Sequence, residues 1–368
     1  MLTGLAKLFK RDRREFEAFR IEVSSCSSLE SPINPRAVFA EKWRFANMPL
    51  STFRRIADHF PQARRVVFRG WGDPLENADF PAMFELARQS GCLTGLVTPG
   101  LNLTPELSGL LIEGGLDTIT FTLEEIPPEE GEGRRIGPEF RQILDQIGQF
   151  IARKRSLARE KPQVKLSFIM TRLNMGRLSR AVPAAVKLGA DKLIFKNLDY
   201  LPLERWNILR AFHHESPTPA FQEALAEIVR LSRELKLPVR HSPLQAQELP
   251  VCEAEPHHSL FFAVDGSVSP CMYLCLPKAG KIRRIFLNQE YKLEPKIYGN
   301  IAEEDLGTIW AREKYRAFRK VFEDRIKAAQ SAADLLEALS NPGSSPPQIV
   351  DPPPLRKACR TCYKACGI

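Results

Sequence analysis

The sequence predicts an α/β fold: a parallel sheet, doubly wound or rolled into a barrel, followed by a C-terminal cysteine-rich α+β extension. Three observations carry this. From residue 19 to about 200, apolar strand-like runs alternate with helical patterns, as they do where crossover helices join parallel strands. Residues 164–170 are nearly continuously apolar, broken only by Lys165 and Ser167, as in a strand buried on both faces. Six of the eight cysteines (Cys252, Cys271, Cys275, Cys359, Cys362 and Cys366) fall in the last third of the chain.

The elements follow in order. Strands are expected at 19–25, 65–69, 93–98, 118–123, 164–171 and 192–198. Between them, Ser51 caps a helix over 51–59, and a helix over 79–90 stops at Gly91. Thr104-Pro105-Glu106 opens a helix that closes at Gly114-Gly115. Helices over 138–155, 176–188 and 217–236 complete this part. Further on, 261–268 reads as a β-hairpin turning at Asp265-Gly266. A helix over 304–323 places Trp310, Tyr315 and Phe318 on or near one face, and 327–339 continues helically. Residues 341–354 form a Pro/Ser/Gly-rich linker. The expected divisions are an N-terminal segment 1–18, the strand–helix region 19–238 and the cysteine-rich region 239–368.

A chain of 368 residues with 43% hydrophobic content can bury one large core and a smaller one. No apolar run reaches the length of a membrane-spanning helix. The apolar stretch at 1–9 is too short and interrupted for a secretion signal, so a cytoplasmic location is expected. Thiols stay reduced there, which favours metal binding over disulfides for clustered cysteines. The net charge of +9 comes from scattered basic groups with no aromatic-interleaved face, so nucleic-acid binding is not expected. No Ser-His-Asp set, Walker loop or HExxH motif is present.

The cysteine spacing is regular. Thirteen residues separate Cys252 from Gly266, and four more separate Gly266 from Cys271. Cys359 and Cys362 are two residues apart, and three residues lead on to Cys366. Such thiols can hold zinc or an iron–sulfur cluster. In a parallel α/β fold, functional groups gather on the loops after the strands. Those loops carry Ser24-Ser25-Cys26, Gly70-Trp71-Gly72-Asp73-Pro74, Thr98-Pro99-Gly100, Glu124, Arg172-Leu173-Asn174 and Asn197. Cys92 reads as a buried apolar residue, His257 and His258 as surface histidines, and His213 and His214 as candidates for the barrel mouth.

In this order, the motifs resemble the radical AdoMet superfamily with a C-terminal SPASM or twitch-type iron–sulfur extension. Residues 69–75 resemble its glycine-rich loop, which holds the AdoMet amino group. Residues 97–106 and 111–121 resemble its third-strand and fourth-strand pattern. Asp265–Cys271, Tyr298-Gly299-Asn300-Ile301, Thr308-Ile309-Trp310 and Tyr315–Arg319 resemble the extension. The resemblance implies a partial, open (β/α)6 barrel of TIM type at 19–238 and a SPASM-like domain at 239–368. It places Cys26, Gly70, Trp71, Gly72, Asp73, Pro74, Glu124 and Asn174 at cofactor-facing positions.

The resemblance also has a gap. The family carries three cysteines spaced Cys-X3-Cys-X2-Cys after the first strand, to bind the cluster that cleaves AdoMet. Here Cys26 fits the first position, and the other two fall on Glu30 and Ile33. Asp73 replaces the usual Glu, and Pro99 the usual Asn. At the other end, Cys252, Cys271, Cys359 and Cys362 match four ligands of one auxiliary [4Fe–4S] cluster. Cys275 and Cys366 are extra, as alternative ligands or part of a different set. The implied protein is a non-radical partner, scaffold or electron relay of a peptide or cofactor maturation system, with a peptide or protein partner at the barrel mouth. Two alternatives stand beside it: an active radical maturase ligated through Cys26 and Glu30, and a zinc-stabilised binding protein. Whether AdoMet binds without being cleaved stays open, and no catalytic residue is assigned.

Overall fold

Six parallel strands form the centre of the fold in a computed structural model that describes residues 14–31, 33–126, 137–340 and 350–368. They are β1 (Phe16–Ile21), β2 (Ala63–Phe68), β3 (Leu93–Thr98), β4 (Thr118–Leu123), β5 (Gln163–Met170) and β6 (Lys192–Asn197), each paired with the next. This is the α/β architecture expected. A short β7 (Val239–His241) lengthens the sheet beyond β6. On the other side, β8 (Ser259–Phe262) runs parallel to β1, and β9 (Ser267–Ser269) returns antiparallel to β8. The cysteine-rich region thus shares the barrel's sheet. A two-stranded hairpin of β10 (Ile282–Phe286) and β11 (Gln289–Leu293) stands apart, and β12 (Gly299–Asn300) pairs with β9 to end a ten-stranded sheet.

Local sequence explains the departures from expectation. The first strand ends at Ile21, earlier than the expected 25. Its partner β2 stops at Phe68, and beyond Ile21 the chain bends into the rim loop while Glu22 N still donates to Phe262 O at 2.9 Å. The helix expected over 176–188 starts as a 3-10 turn, Met175–Arg180, and becomes α-helical over Ala181–Leu188. Pro183 lacks an N–H and suits only a first α-turn, which sets that start. The helices expected over 304–323 and 327–339 are instead Leu306–Ala311 and one long helix, Glu313–Ser340. They break at Arg312, whose extended backbone (ψ 133) is held as its guanidinium donates to Tyr298 O at 2.6 Å and pairs with Glu304.

The β8–β9 hairpin turns at Asp265-Gly266 as expected. Gly266 adopts φ +82, and a Cβ there would lie 2.6 Å from Asn300 Oδ1, so the turn needs glycine. The β10–β11 hairpin was not legible, because Leu287 (φ 51) and Asn288 (φ 59) make its left-handed turn without glycine. Aromatic packing fastens the extension to the barrel. Trp310 meets Phe16 of β1 at 4.9 Å, with the Arg319 guanidinium 3.4 Å from the Trp310 ring centre. Most of the expected linker, 341–349, and most of the expected N-terminal segment, 1–13, lie outside the described residues. No helix among the described residues is long and apolar enough to cross a membrane.

Candidate functional site

The loop after β2 sits at the mouth because two glycines let it press against the end of β1. A Cβ on Gly70 would lie 2.4 Å from Glu22 Cγ, and one on Gly72 would lie 2.3 Å from Cys26 O. Between them, Trp71 N donates to Glu22 Oε1 at 2.8 Å, and Trp71 Nε1 donates to Met272 O at 3.1 Å. The loop is thereby held by the first strand on one side and the cysteine-rich region on the other. Glu22 is fully buried, its Oε2 has no partner, and burial pushes its carboxyl up to about 8. Asp73 is also buried. Its Oδ1 accepts from Thr98 Oγ1 at 2.7 Å and from Leu75 N at 3.2 Å, its Oδ2 has no partner, and burial raises it to about 6.

Gly70, Trp71, Gly72 and Glu124 line a chamber of about 230 Å3. Burial raises the Glu124 carboxyl. Cys26, Asp73 and Pro74 do not line it; Asp73 N donates to Cys26 O at 2.7 Å behind the loop. A neighbouring cavity of about 310 Å3 shares Leu29, Thr122, Glu124 and Ile169 with the chamber and is lined by Glu30, Ile33 and Asn174. The Asn174 amide is committed to the backbone, accepting from Thr171 N at 2.8 Å and donating to Ile169 O at 2.8 Å. Glu30 is exposed, and Ile33 packs against a core group that includes Leu198 and Trp206.

Apart from Glu124 and Arg69, the chamber's charged residues escaped the sequence reading. Lys364 is 5% exposed and places Nζ 2.7 Å from Asp199 Oδ2 and 2.9 Å from Glu253 Oε1. Tyr273 Oη donates to Asp199 Oδ2 at 2.9 Å. Burial works against the charge on Lys364, yet the two carboxylates keep it well above the ordinary lysine value. Desolvation opposes ionisation of Glu253, but Lys364, Lys196 and Arg69 outweigh it and hold that carboxyl down to about 2. Lys196, which also lines the chamber, is brought down to about 8 by burial and by the Arg69 charge. Arg69 donates through Nη2 to Met272 Sδ, and its Nε is buried without a partner. The available signal was Lys364 itself, a lysine between two cysteines of a run that packs inside.

Four thiols gather beside this chamber. Cys252, Cys271, Cys359 and Cys362 are half-buried. Burial raises Cys252 to about 11 and Cys271 and Cys359 further, and each is raised again by the charge of others in the set. Turn structure presents them. Cys271 precedes the 3-10 turn Met272–Leu274, and Cys362 N donates to Cys359 O at 3.0 Å across the turn between their helices. Among the described residues, no three histidine, cysteine or carboxylate groups stand as close as a metal ion would draw them. Cys275 packs with Phe261 and Ala263, and Cys366 with Phe212, Phe286 and Tyr363, as apolar residues do. Cys92 is buried, with Sγ 3.0 Å from Phe60 O and Ala63 O.

The histidines follow expectation only in part. His257 is only 7% exposed, and burial, with His258 beside it, brings it down to about 4. His258 is exposed as expected. His213 and His214 do not line the chamber. His213 Nε2 lies 3.2 Å from Thr218 Oγ1, and the His214 ring packs on Phe286 and Tyr363.

Residues 252–333 match the SPASM family, described as an iron–sulfur cluster-binding domain. The chain is 25% identical over 306 residues to the tungsten-containing aldehyde ferredoxin oxidoreductase cofactor-modifying protein of Pyrococcus furiosus, covering 82% of this chain and 83% of that one. It is 30% identical over 205 residues to a PqqA peptide cyclase of Streptomyces rochei, covering 51% of this chain and 52% of that one. Among solved structures, Streptococcus suis SuiB bound to S-adenosylmethionine shares the fold, with a TM-score of 0.57 at 13% identity over 85% of this chain and 70% of that one.

Proposed function

We propose that this chain, a SPASM-domain protein on the radical AdoMet fold, holds one auxiliary [4Fe–4S] cluster and acts without its own radical cluster in maturing a peptide or cofactor. The carrying observation is the contrast between its two thiol sites. Cys252, Cys271, Cys359 and Cys362 converge from three separate segments and feel one another's charge. Burial and the charge of neighbouring thiols disfavour the thiolates of Cys252, Cys271 and Cys359 until a cation neutralises them, so this donor set fits a metal centre. When bound, such a cluster would store and pass single electrons.

The barrel rim does not fit the AdoMet-cleaving cluster. Cys26 stands there with an exposed carboxylate at 30 and an apolar side chain at 33 in the other two positions. A hard carboxylate is a poor ligand for such iron, and Ile33 is no ligand at all.

The chamber is what remains for a partner. Lys196 and Arg69 line it, and among the described residues neither pairs with a carboxylate. Lys364 is already shared between Asp199 and Glu253. Lys196, lowered by burial and by the neighbouring Arg69 charge, and Arg69 itself suit a carboxylate-bearing side chain, so the peptide we propose is acidic. The names of the relatives from Pyrococcus furiosus and Streptomyces rochei support a cofactor or peptide as the molecule matured.

Anaerobic reconstitution tests the reading. About four irons per chain and no 5′-deoxyadenosine from AdoMet under dithionite are expected. About eight irons with cleavage would establish the active maturase instead. Four thiolates also suit zinc, and a colourless protein with one zinc would establish the binding protein.

A further inference from the structure

Arg284 lies on β10 and is 3% exposed. Its Nη2 donates to Ala358 O and, at 2.9 Å, to Thr361 Oγ1. Those two residues bracket the turn that carries Cys359 and lead directly to Cys362. Its Nε and Nη1 are buried without a partner. Its charge acts on the thiols of Cys271 and Cys359, which come from two different segments. Among the described residues it forms no ion pair with a carboxylate, unlike the buried Lys364 and Arg325, which have theirs.

A buried guanidinium with no counter-charge and two idle N–H donors is unfavourable by itself. A four-thiolate cluster is a net anion, and each electron it accepts adds negative charge. The two deficits meet at one place. Arg20 offers a contrast on the Cys252 side. It donates to Ala254 O at 2.8 Å and to Glu253 O at 3.3 Å, so it is engaged with the backbone of that loop.

We propose that Arg284 is the built-in counter-cation of the thiol centre: it fixes the Cys359–Cys362 turn through Nη2 and keeps Nε–H and Nη1–H for the centre's sulfurs. This rests on the cluster reading above. It makes Arg284 a positioning residue that sets the reduction potential, since a cation beside the centre favours the more negative, reduced form.

The test is an anaerobic redox titration, followed by electron paramagnetic resonance, of the reconstituted full chain and its variants, with iron counted in each. Arg284→Gln is expected to keep its iron and to lose about tenfold in the equilibrium constant for reduction, which is about 59 mV for one electron. Arg284→Met, which leaves no polar group to satisfy, replaces it if the glutamine variant does not fold. Arg284→Lys keeps the charge and is expected to bind iron at the wild-type ratio with a smaller shift. Thr361→Val removes the hydroxyl anchor, keeps the guanidinium, and is expected to stay near the wild-type potential. An unchanged potential in an iron-loaded Arg284→Gln overturns the proposal. So does equal iron loss in the Gln and Lys variants, or a Thr361→Val shift as large as that of Arg284→Gln, since either would reduce Arg284 to a scaffold. A wild-type chain that takes up no iron is a different result: it overturns the cluster reading itself.

Discussion

Replacing Gly72 with alanine should loosen the mouth of the barrel by an amount the structure allows one to work out. The new Cβ would lie 2.3 Å from Cys26 O, 2.5 Å from Ser25 C and 2.6 Å from Ser24 O. All three are backbone atoms, so no rotamer change relieves the contact. The loop must move away from the end of β1, and the 2.7 Å hydrogen bond from Asp73 N to Cys26 O lengthens with it. Overpacking of this kind costs about 1–3 kcal/mol. A weakened buried hydrogen bond adds roughly 0.5–1.5 kcal/mol. The stiffer unfolded chain returns about 0.4–1 kcal/mol. The expected net loss is therefore about 2 kcal/mol, read from urea denaturation. Gly148→Ala is the control. Gly148 lies in the helix Pro138–Ser156 with nothing within 4 Å of its added Cβ, so alanine should stabilise by up to about 1 kcal/mol. The reasoning is refuted if Gly72→Ala is as stable as the wild type while Gly148→Ala gains as stated.

Three further outcomes are expected. Lys364→Met leaves Asp199 and Glu253 facing one another without their cation; a loss of about 3 kcal/mol is expected, at the low end for a broken buried pair because the Glu253 side chain is 45% exposed. Adding Asp199→Asn should recover part of it, and an additive double mutant would deny the coupling. Burial raises Glu22 to about 8 and Asp73 to about 6, so the folded chain holds protons that the unfolded chain releases near the ordinary carboxylate values. That contribution is full below about pH 4 and is lost as pH rises through 6 and then 8. Glu22→Gln and Asp73→Asn should each flatten the fall in thermal midpoint across that window, and profiles parallel to the wild type would contradict it. Removing metal from the reconstituted protein with a chelator should speed amide exchange in 271–275 and 359–366 while β3 and β4 stay protected; uniform exchange would count against a localised centre.

The repeating part of the fold was legible because each unit carries its own punctuation. Gly91 follows the C-cap Ser90 of the helix Phe80–Gln89, and Thr104 caps Pro105–Glu113 by accepting from Leu107 N. The short strands were not legible for the opposite reason. β7 and β12 are three and two residues long, too short for any periodicity, and are defined by the strands they join. The thiol set was readable from spacing, but the chamber was not. Lys364, Asp199, Glu253 and Tyr273 are far apart in the chain, and each alone resembles an ordinary surface residue. Only the fold shows Lys364 buried between two carboxylates. Asp73 and Asn174 show contacts that only the fold supplies. Sequence placed them at cofactor-facing positions, and their oxygens accept hydrogen bonds from Thr98 and Leu75, and from Thr171, of the protein itself.

The chamber and the thiol centre are built from the same segments. Glu253 follows Cys252, Tyr273 lies two residues beyond Cys271, and Lys364 lies two residues beyond Cys362. All three line the chamber, and Lys364 binds Asp199 just after β6. Whatever holds those three cysteines in place also holds three charged or polar groups of the chamber wall. This gives the proposed cluster a role that needs no radical chemistry, because ordering the thiol segments shapes the place where a partner would enter. It also accounts for a charged mouth on a barrel whose rim carries Cys26 with Glu30 and Ile33. Desolvating Lys196 and Lys364 beside Arg69 is unfavourable for stability alone, as the depressed value of Lys196 shows. A mouth kept only as scaffold would be better filled with apolar side chains, like those of Phe19, Phe68 and Phe121 in the sheet beneath it. The charges therefore point to binding at the mouth, a part of the proposed function that does not depend on Glu30 and Ile33.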